Sequence, residues 1–494
     1  MPSPKDAYHG EIFIPDKRHP WFPFFCPKPQ VDILFYTDDT SVAFNPAASF
    51  GVDAMRDLLH QRSGFHADFR IDLLNRHDGG HARQKLTPEL LAKYDQVWFF
   101  GVLQCNQQSA PENELTDDEV AALRTWMDDR EGGVLITGDH SNPRPFDAVD
   151  GALDPLVNLG RALGHRVPRA GQLRVWEGLP SSDVTTDPHH THNTQVPDGV
   201  HVLDDLTLQD DQFPQRLLLT KYPLGWSWPW WLRRYRPHPL FCGRTGPIEV
   251  FPDHMHEGAL AFPAGYPAAD WPSGPWGQPV PEVVARGTDK RFPATYDLVS
   301  AYDGALASVG RIVADSTWHH YFNINLAGFA PGSAERDAIG DYYANLAAWL
   351  TPSAKRAAMR CWFWWQLAVH PAVHMVKGAS FTVLGQTALD VLGRVAGQCT
   401  ITQLVWPFPL WPRDWIEFPW PPEEVVLGAV ISGYHAAFDQ ATAGAGELPS
   451  RTRLVGSGLL AAVEQHGVEL RRMAETADRL PGFLREHLPG GREG

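Results

Sequence analysis

The 494-residue chain lacks the marks of several protein classes. No apolar run reaches 18 residues without a proline or a charge, so no membrane-spanning helix is expected. The opening MPSPKDAYHGEIFIPDKRHP has no apolar core of the kind a secretory signal needs, and cytoplasmic residence is the expectation. A basic excess is also missing: 42 Lys and Arg stand against 58 Asp and Glu, a net charge of -16. Binding the phosphates of nucleic acid needs a basic face, so that function class is excluded. Cysteine is scarce. Cys26, Cys105, Cys242, Cys361 and Cys399 are scattered and show no C-x-x-C spacing. They suggest neither a disulfide framework nor a thiolate zinc site, and buried free thiols are expected. No H-E-x-x-H motif occurs either.

What is present is an ordinary globular composition, 43% apolar and 20% charged, with length enough for one large domain and an appendage. Tryptophan is abundant, at 19 residues, and much of it lies in proline-studded runs such as WSWPWW (226–231) and WPFPLWPRDWIEFPWPP (406–422). Proline keeps those runs out of regular helix, and they read as loops laid over apolar surface.

After an N-terminal extension over 1–29, strand and helix patterns alternate. VDILFYT (31–37), HADFRIDLL (66–74), QVWFFGV (96–102) and GVLITG (133–138) read as strands. ASFGVDAMRDLLHQ, TPELLAKY and LTDDEVAALRTWMDDREGG between them read as helices, the last opened by Thr116 and Glu119 at capping-box spacing. Such alternation implies βαβ units and a mostly parallel sheet flanked by helices, an α/β fold. From about 150 to 330 the pattern shortens into strands such as QRLLLTKY, HPLFCG, GPIEVFPD and RIVADST. SAERDAIGDYYANLAAWL then reads as a helix. The expected organisation is an α/β domain over 30–352 with a β-rich insertion at about 170–290, followed by a C-terminal helical domain over 353–494.

Four short segments concentrate the histidines. GDHSN holds Asp139, His140 and Asn142; DPHHTHN holds His189, His190 and His192; FPDHMHEG holds His254, His256 and Glu257; DSTWHHYFNIN holds Asp315, His319 and His320. Together they carry eight of the chain's 22 histidines. In extended backbone an H-x-H pair points both rings to one side, a geometry that chelates a metal ion. Neutral imidazoles with neighbouring carboxylates suit Zn, Mn or Fe better than Ca or Mg. His190, His192, His254, His256 and His320 are the candidate ligands. Asp139, His140 and Glu257 are the candidate acid-base groups, since a metal-bound water needs a proton acceptor. His319 and His320, if extended, point to opposite faces, so at most one faces a site. Two other readings stay open: a metal-free acid-base pocket, and histidines that serve only structure or solvation.

The order VDILFYT, then YDQVWFFG, then a capped helix leading into GGVLITGDHS resembles the class I glutamine amidotransferase-like superfamily. Within it the likeness is to the ThuA-like (trehalose-utilisation) branch, where a histidine stands at the elbow in place of the cysteine nucleophile. RIVADSTWHHYFNINLAGF is similar to that family's closing strand and polar loop. The resemblance spans roughly 30–350. It implies an amidotransferase-like or flavodoxin-like sheet and a carbohydrate-related substrate. With Gly138, Asp139 and His140 at the elbow it also implies the absence of glutaminase chemistry. Cys105 follows the preceding strand, not the elbow. In open α/β sheets ligands bind outside the carboxyl ends of the strands, which adds Asp38, Asp39 and Asn142 as substrate-binding candidates.

The sequence therefore reads as a small-molecule enzyme, a hydrolase or related acid-base catalyst with a His/Asp/Glu pocket that binds a divalent metal or works without one. It would act on a small polar substrate, and a homo-oligomer is compatible with the pattern. The competing reading is a non-catalytic superfamily member that binds a ligand or a partner through its Trp/Pro loops and C-terminal helices.

Overall fold

The computed structural model describes residues 14–37, 42–62, 67–76, 84–100, 115–137, 173–175, 215–227, 232–252, 259–261, 271–274, 277–288, 295–393, 422–444 and 447–487. Its α/β region opens with β1 (Gln30–Thr37), α1 (Asp53–Arg62), β2 (Asp68–Asn75), α2 (Pro88–Leu91), β3 (Gln96–Phe100), α3 (Asp117–Asp129) and β4 (Gly133–Thr137). Short strands follow: β5 (Leu173–Val175), β6 (Gln215–Arg216), β7 (Leu218–Leu219), β8 (Tyr222–Ser227), β9 (Leu232–Arg236), β10 (Val250–Phe251) and β11 (Ala259–Ala261). The region closes with β12 (Glu282–Thr288), β13 (Thr295–Tyr302), β14 (Ile312–Asp315), α4 (Asn323–Leu326) and α5 (Ala334–Leu350).

The central sheet has eight strands in the order β2-β1-β3-β4-β14-β13-β12-β7. Its first five strands are mutually parallel, and β13, β12 and β7 continue it antiparallel. The strand order reverses between β1 and β3, and all five parallel strands end on one edge.

Side chains alternate between the two faces of the sheet. Ile33, Phe35, Trp98, Leu135 and Val313 pack with Leu58 and Leu59 of α1 and Tyr342, Tyr343 and Leu346 of α5. Leu34, Tyr36, Phe99, Val134 and Ile136 pack with Leu123, Trp126 and Met127 of α3 on the other side. Coverage of both faces explains why these strands read as continuous apolar runs. The capping box of α3 forms as its spacing predicts: Thr116 Oγ1 accepts from the Glu119 N–H, and the Glu119 carboxylate accepts from the Thr116 N–H at 2.8 Å.

Three details depart from expectation. HPLFCG is a 3-10 turn over Pro239–Phe241, because proline sets its first φ and the His238 side chain accepts from the Leu240 N–H. Strands β7 and β12, within the span expected as an insertion, belong to the central sheet itself, whereas β5, β6, β8, β9, β10 and β11 form separate two-stranded pairs. The expectation of buried free thiols fails for Cys26 and Cys361, which form a disulfide across 335 residues of sequence. That pairing brings together two elements far apart in the chain, which residue spacing cannot show. Cys242 keeps a buried thiol, directed at the His238 carbonyl (3.7 Å).

Beyond α5 the described chain is helical: α6 (Ser353–Val369), α7 (Pro371–Met375), α8 (Phe381–Leu392), α9 (Glu423–Thr442) and α10 (Arg451–His487). These helices share a second core, in which Trp362, Phe363, Trp364 and Trp365 of α6 meet apolar residues of α8 and α9. α8 and α9 cross closely at glycines: a Cβ on Gly428 would collide with the Phe381 carbonyl, and one on Gly385 with the Glu424 carbonyl. Among the described residues no helix is long and apolar enough to cross a membrane. The Trp/Pro run 406–421 lies outside the described residues.

Candidate functional site

The carboxyl edge of the sheet is marked by Thr37, Phe100, Thr137 and Asp315, the last residues of β1, β3, β4 and β14. Thr37 lies beside Phe100, and Thr137 beside Asp315, by strand register. The two threonine hydroxyls donate to the carbonyls of Phe100 (2.9 Å) and Phe99 (2.7 Å), which ties the strand ends together.

Asp315 ends β14, and the chain then turns back over it. Thr317 donates its N–H to Asp315 Oδ1, and its own hydroxyl accepts from the His319 N–H at 3.2 Å, starting a 3-10 turn over Trp318–Tyr321. The pair is therefore not extended, the condition under which its rings would point to opposite faces of a strand. Both rings are buried: His320 faces Asp315, and His319 faces Asn325, with Nδ1 and Oδ1 3.3 Å apart.

In the resulting network His320 Nδ1 lies 2.8 Å from Asp315 Oδ1, and the Tyr321 hydroxyl donates to Asp315 Oδ2 at 2.8 Å. The carboxylate thus accepts from an imidazole, a phenol and a backbone N–H. With Asp315 ionised, this places the His320 ring hydrogen on Nδ1. The Tyr343 hydroxyl donates to the His320 carbonyl, and the hydroxyls of Tyr321 and Tyr342 are 3.3 Å apart. Burial, reinforced by the nearby Asp315 charge, pushes all three phenols well above their ordinary range, so they stay protonated. The Phe251 ring of β10 covers the His320 ring at 4.6 Å between centroids.

His320 is the one predicted site residue within the described part of the chain. Asp38, Asp39, Asp139, His140, Asn142, His190, His192, His254, His256 and Glu257 lie outside it, as does Cys105. The structure does place the residues from which three of those segments continue. Thr37 precedes Asp38 at the β1 end. Thr137, two residues before Asp139, is the register neighbour of Asp315. Phe251, three residues before His254, rests on His320. Among the described residues no group of three or more His, Cys, Asp or Glu is arranged to hold a metal.

Tyr321, Tyr342 and Tyr343 were missed by sequence reasoning, and Asp315 was noted there without a role. An acid at a strand end five residues before a histidine is a usable signal, whereas the α5 tyrosines look like core residues. A second buried network at the same edge was missed entirely. Arg76, directly after β2, forms a bidentate pair with Glu119 (Nη2 to Oε2 2.8 Å) and donates to the Tyr36 hydroxyl at 2.9 Å. Glu119 also accepts the Leu86 N–H at 3.0 Å.

No protein-family model, curated protein or solved structure matches the chain.

Proposed function

We propose that this chain is a small-molecule hydrolase or related acid-base enzyme on an amidotransferase-like α/β domain, with His320 as its base and Asp315 as the residue that orients it. The observation that carries this reading is the buried Asp315–His320 pair at the carboxyl end of β14, held at 2.8 Å. A carboxylate on Nδ1 holds an imidazole in one tautomer and orientation and stabilises the imidazolium formed when Nε2 takes a proton. Tyr321 keeps the carboxylate turned toward the ring. The strand order reversal between β1 and β3 supports the fold reading, since ligands bind outside the carboxyl ends at such points.

The same pair fits a metal role. Metal-bound histidines commonly donate their second ring N–H to a carboxylate, as His320 does to Asp315. In this reading His254 and His256, in the segment that follows Phe251, join His320 as ligands, with His190 and His192 supplied from their own loop. A bound Zn, Mn or Fe ion would supply an activated water, and Glu257 or Asp139 would accept its proton.

The test combines elemental analysis of untagged protein with hydrolysis of a panel of p-nitrophenyl esters, phosphates and glycosides. Asp315→Asn is expected to slow the best substrate by about 10²- to 10⁴-fold with retained folding. His320→Asn should remove both that activity and any stoichiometric metal. Folded variants that keep the parent's metal content and rates would assign the network to structure and favour a non-catalytic binding module.

A further inference from the structure

The N-terminal segment 14–29 is strapped across the helical region. Trp21 stacks on Phe438 of α9 with centroids 4.5 Å apart, and its indole N–H donates to the Thr442 hydroxyl at 3.2 Å. Phe25 meets Trp365 of α6 edge-on at 5.4 Å. Arg451, the first residue of α10, donates from Nε to the Pro23 carbonyl at 3.1 Å. The strap is closed covalently by Cys26 and Cys361, the latter on α6.

Arg451 does more than hold backbone. Its Nη1 lies 3.5 Å from Cys26 Sγ and 3.8 Å from Cys361 Sγ, so one guanidinium touches both sulfurs. The intact disulfide carries no charge for that cation to pair with. A thiolate does carry charge, and an adjacent guanidinium stabilises it. The two residues also differ in exposure: Cys26 is 1% exposed, whereas Cys361 is only partly buried.

We infer that Cys26–Cys361 is a reversible thiol switch, operated by a low-molecular-weight thiol, that fastens and releases the N-terminal strap. The thiolate of the incoming thiol attacks Cys361 Sγ, the S–S bond breaks, and Cys26 leaves as a thiolate beside Arg451. A second thiol then attacks the mixed disulfide, releasing Cys361 as a thiol and the oxidised small-molecule disulfide. Two small thiols lose two electrons, and the bridge gains them with two protons. Release lifts Trp21 from Phe438 and uncovers that aromatic face of α9.

The test uses the full chain in glutathione buffers of stepped reduced-to-oxidised ratio, with acid quenching, alkylation and peptide mapping. Cys26 and Cys361 should convert together from bridged to alkylated within the glutathione range. Hydrogen exchange in peptides spanning 19–28 should rise at least about tenfold in the same step, as strap opening comes to dominate exchange. Arg451→Gln should demand about threefold to tenfold more reducing buffer at the midpoint, the upper figure being ~30 mV, and Arg451→Lys should restore it. A bridge that resists every ratio, cysteines that stay reduced in oxidised glutathione, unchanged exchange on reduction, or a midpoint unmoved in Arg451→Gln would each overturn the assignment.

Discussion

Two buried carboxylates stand at the same edge of the sheet, and they are used in opposite ways. Glu119 is matched with Arg76, a guanidinium that never gives up its proton, and accepts N–H groups from Thr116 and Leu86 as well. Asp315 is matched with the imidazole of His320, a side-chain type that can both accept and donate a proton, and with the phenol of Tyr321. Burial is nearly the same, 2% exposure for each acid. What separates a structural knot from a candidate catalytic pair is whether the partner can move a proton.

The largest effect should come from splitting the ion pair. Arg76→Met leaves Glu119 buried without its counter-charge and is expected to cost about 3–5 kcal/mol in urea unfolding, with the m-value unchanged. A loss below ~1 kcal/mol would break the contrast, because Glu119 would then tolerate isolation. Tyr321→Phe deletes a neutral donor to Asp315 together with the contact to the Tyr342 hydroxyl, and should cost about 1–3 kcal/mol. It sharpens the comparison if the hydrolysis proposed for His320 slows as well, since Asp315 then loses a hydrogen bond that orients it.

The smallest effect is the most specific. Burial raises the Glu119 carboxyl, but hydrogen bonds from Arg76 and from the N–H groups of Thr116 and Leu86 bring it below its ordinary range. Its folded value is therefore lower than its unfolded one, and its contribution is present above the carboxylate range and lost as pH falls through it. Burial raises the phenols of Tyr321, Tyr342 and Tyr343, so their contribution is present below about pH 10 and lost as pH rises beyond it. Urea midpoints followed across pH should show the acid slope flattened by Glu119→Gln alone and the alkaline slope flattened by Tyr342→Phe alone. If one substitution flattened both limbs, the two networks would be a single coupled system.

Much of the fold was legible because it rests on local pattern. The buried strands read as short apolar runs, Thr116 and Glu119 formed the predicted cap, and α5 followed its helical spacing. The site was legible in part. His320 was selected as a candidate metal ligand, with His319 on the opposite face if the segment were extended; Thr317 instead starts a turn in which both histidines are buried. Arg76 carried no local signal, and Glu119 was read only as a capping residue, because the pair joins positions 43 apart.

The sequence by itself determined the alternation of strands and helices and the two-faced apolar pattern of the sheet. These follow from periodicity and capping, which act over a few residues. Only the tertiary structure decided which buried acid meets an arginine and which a histidine, that Phe251 lies on His320, and that Cys26 reaches Cys361. Those outcomes depend on strand order and helix crossing, which bring distant residues together at distances that no spacing along the chain encodes.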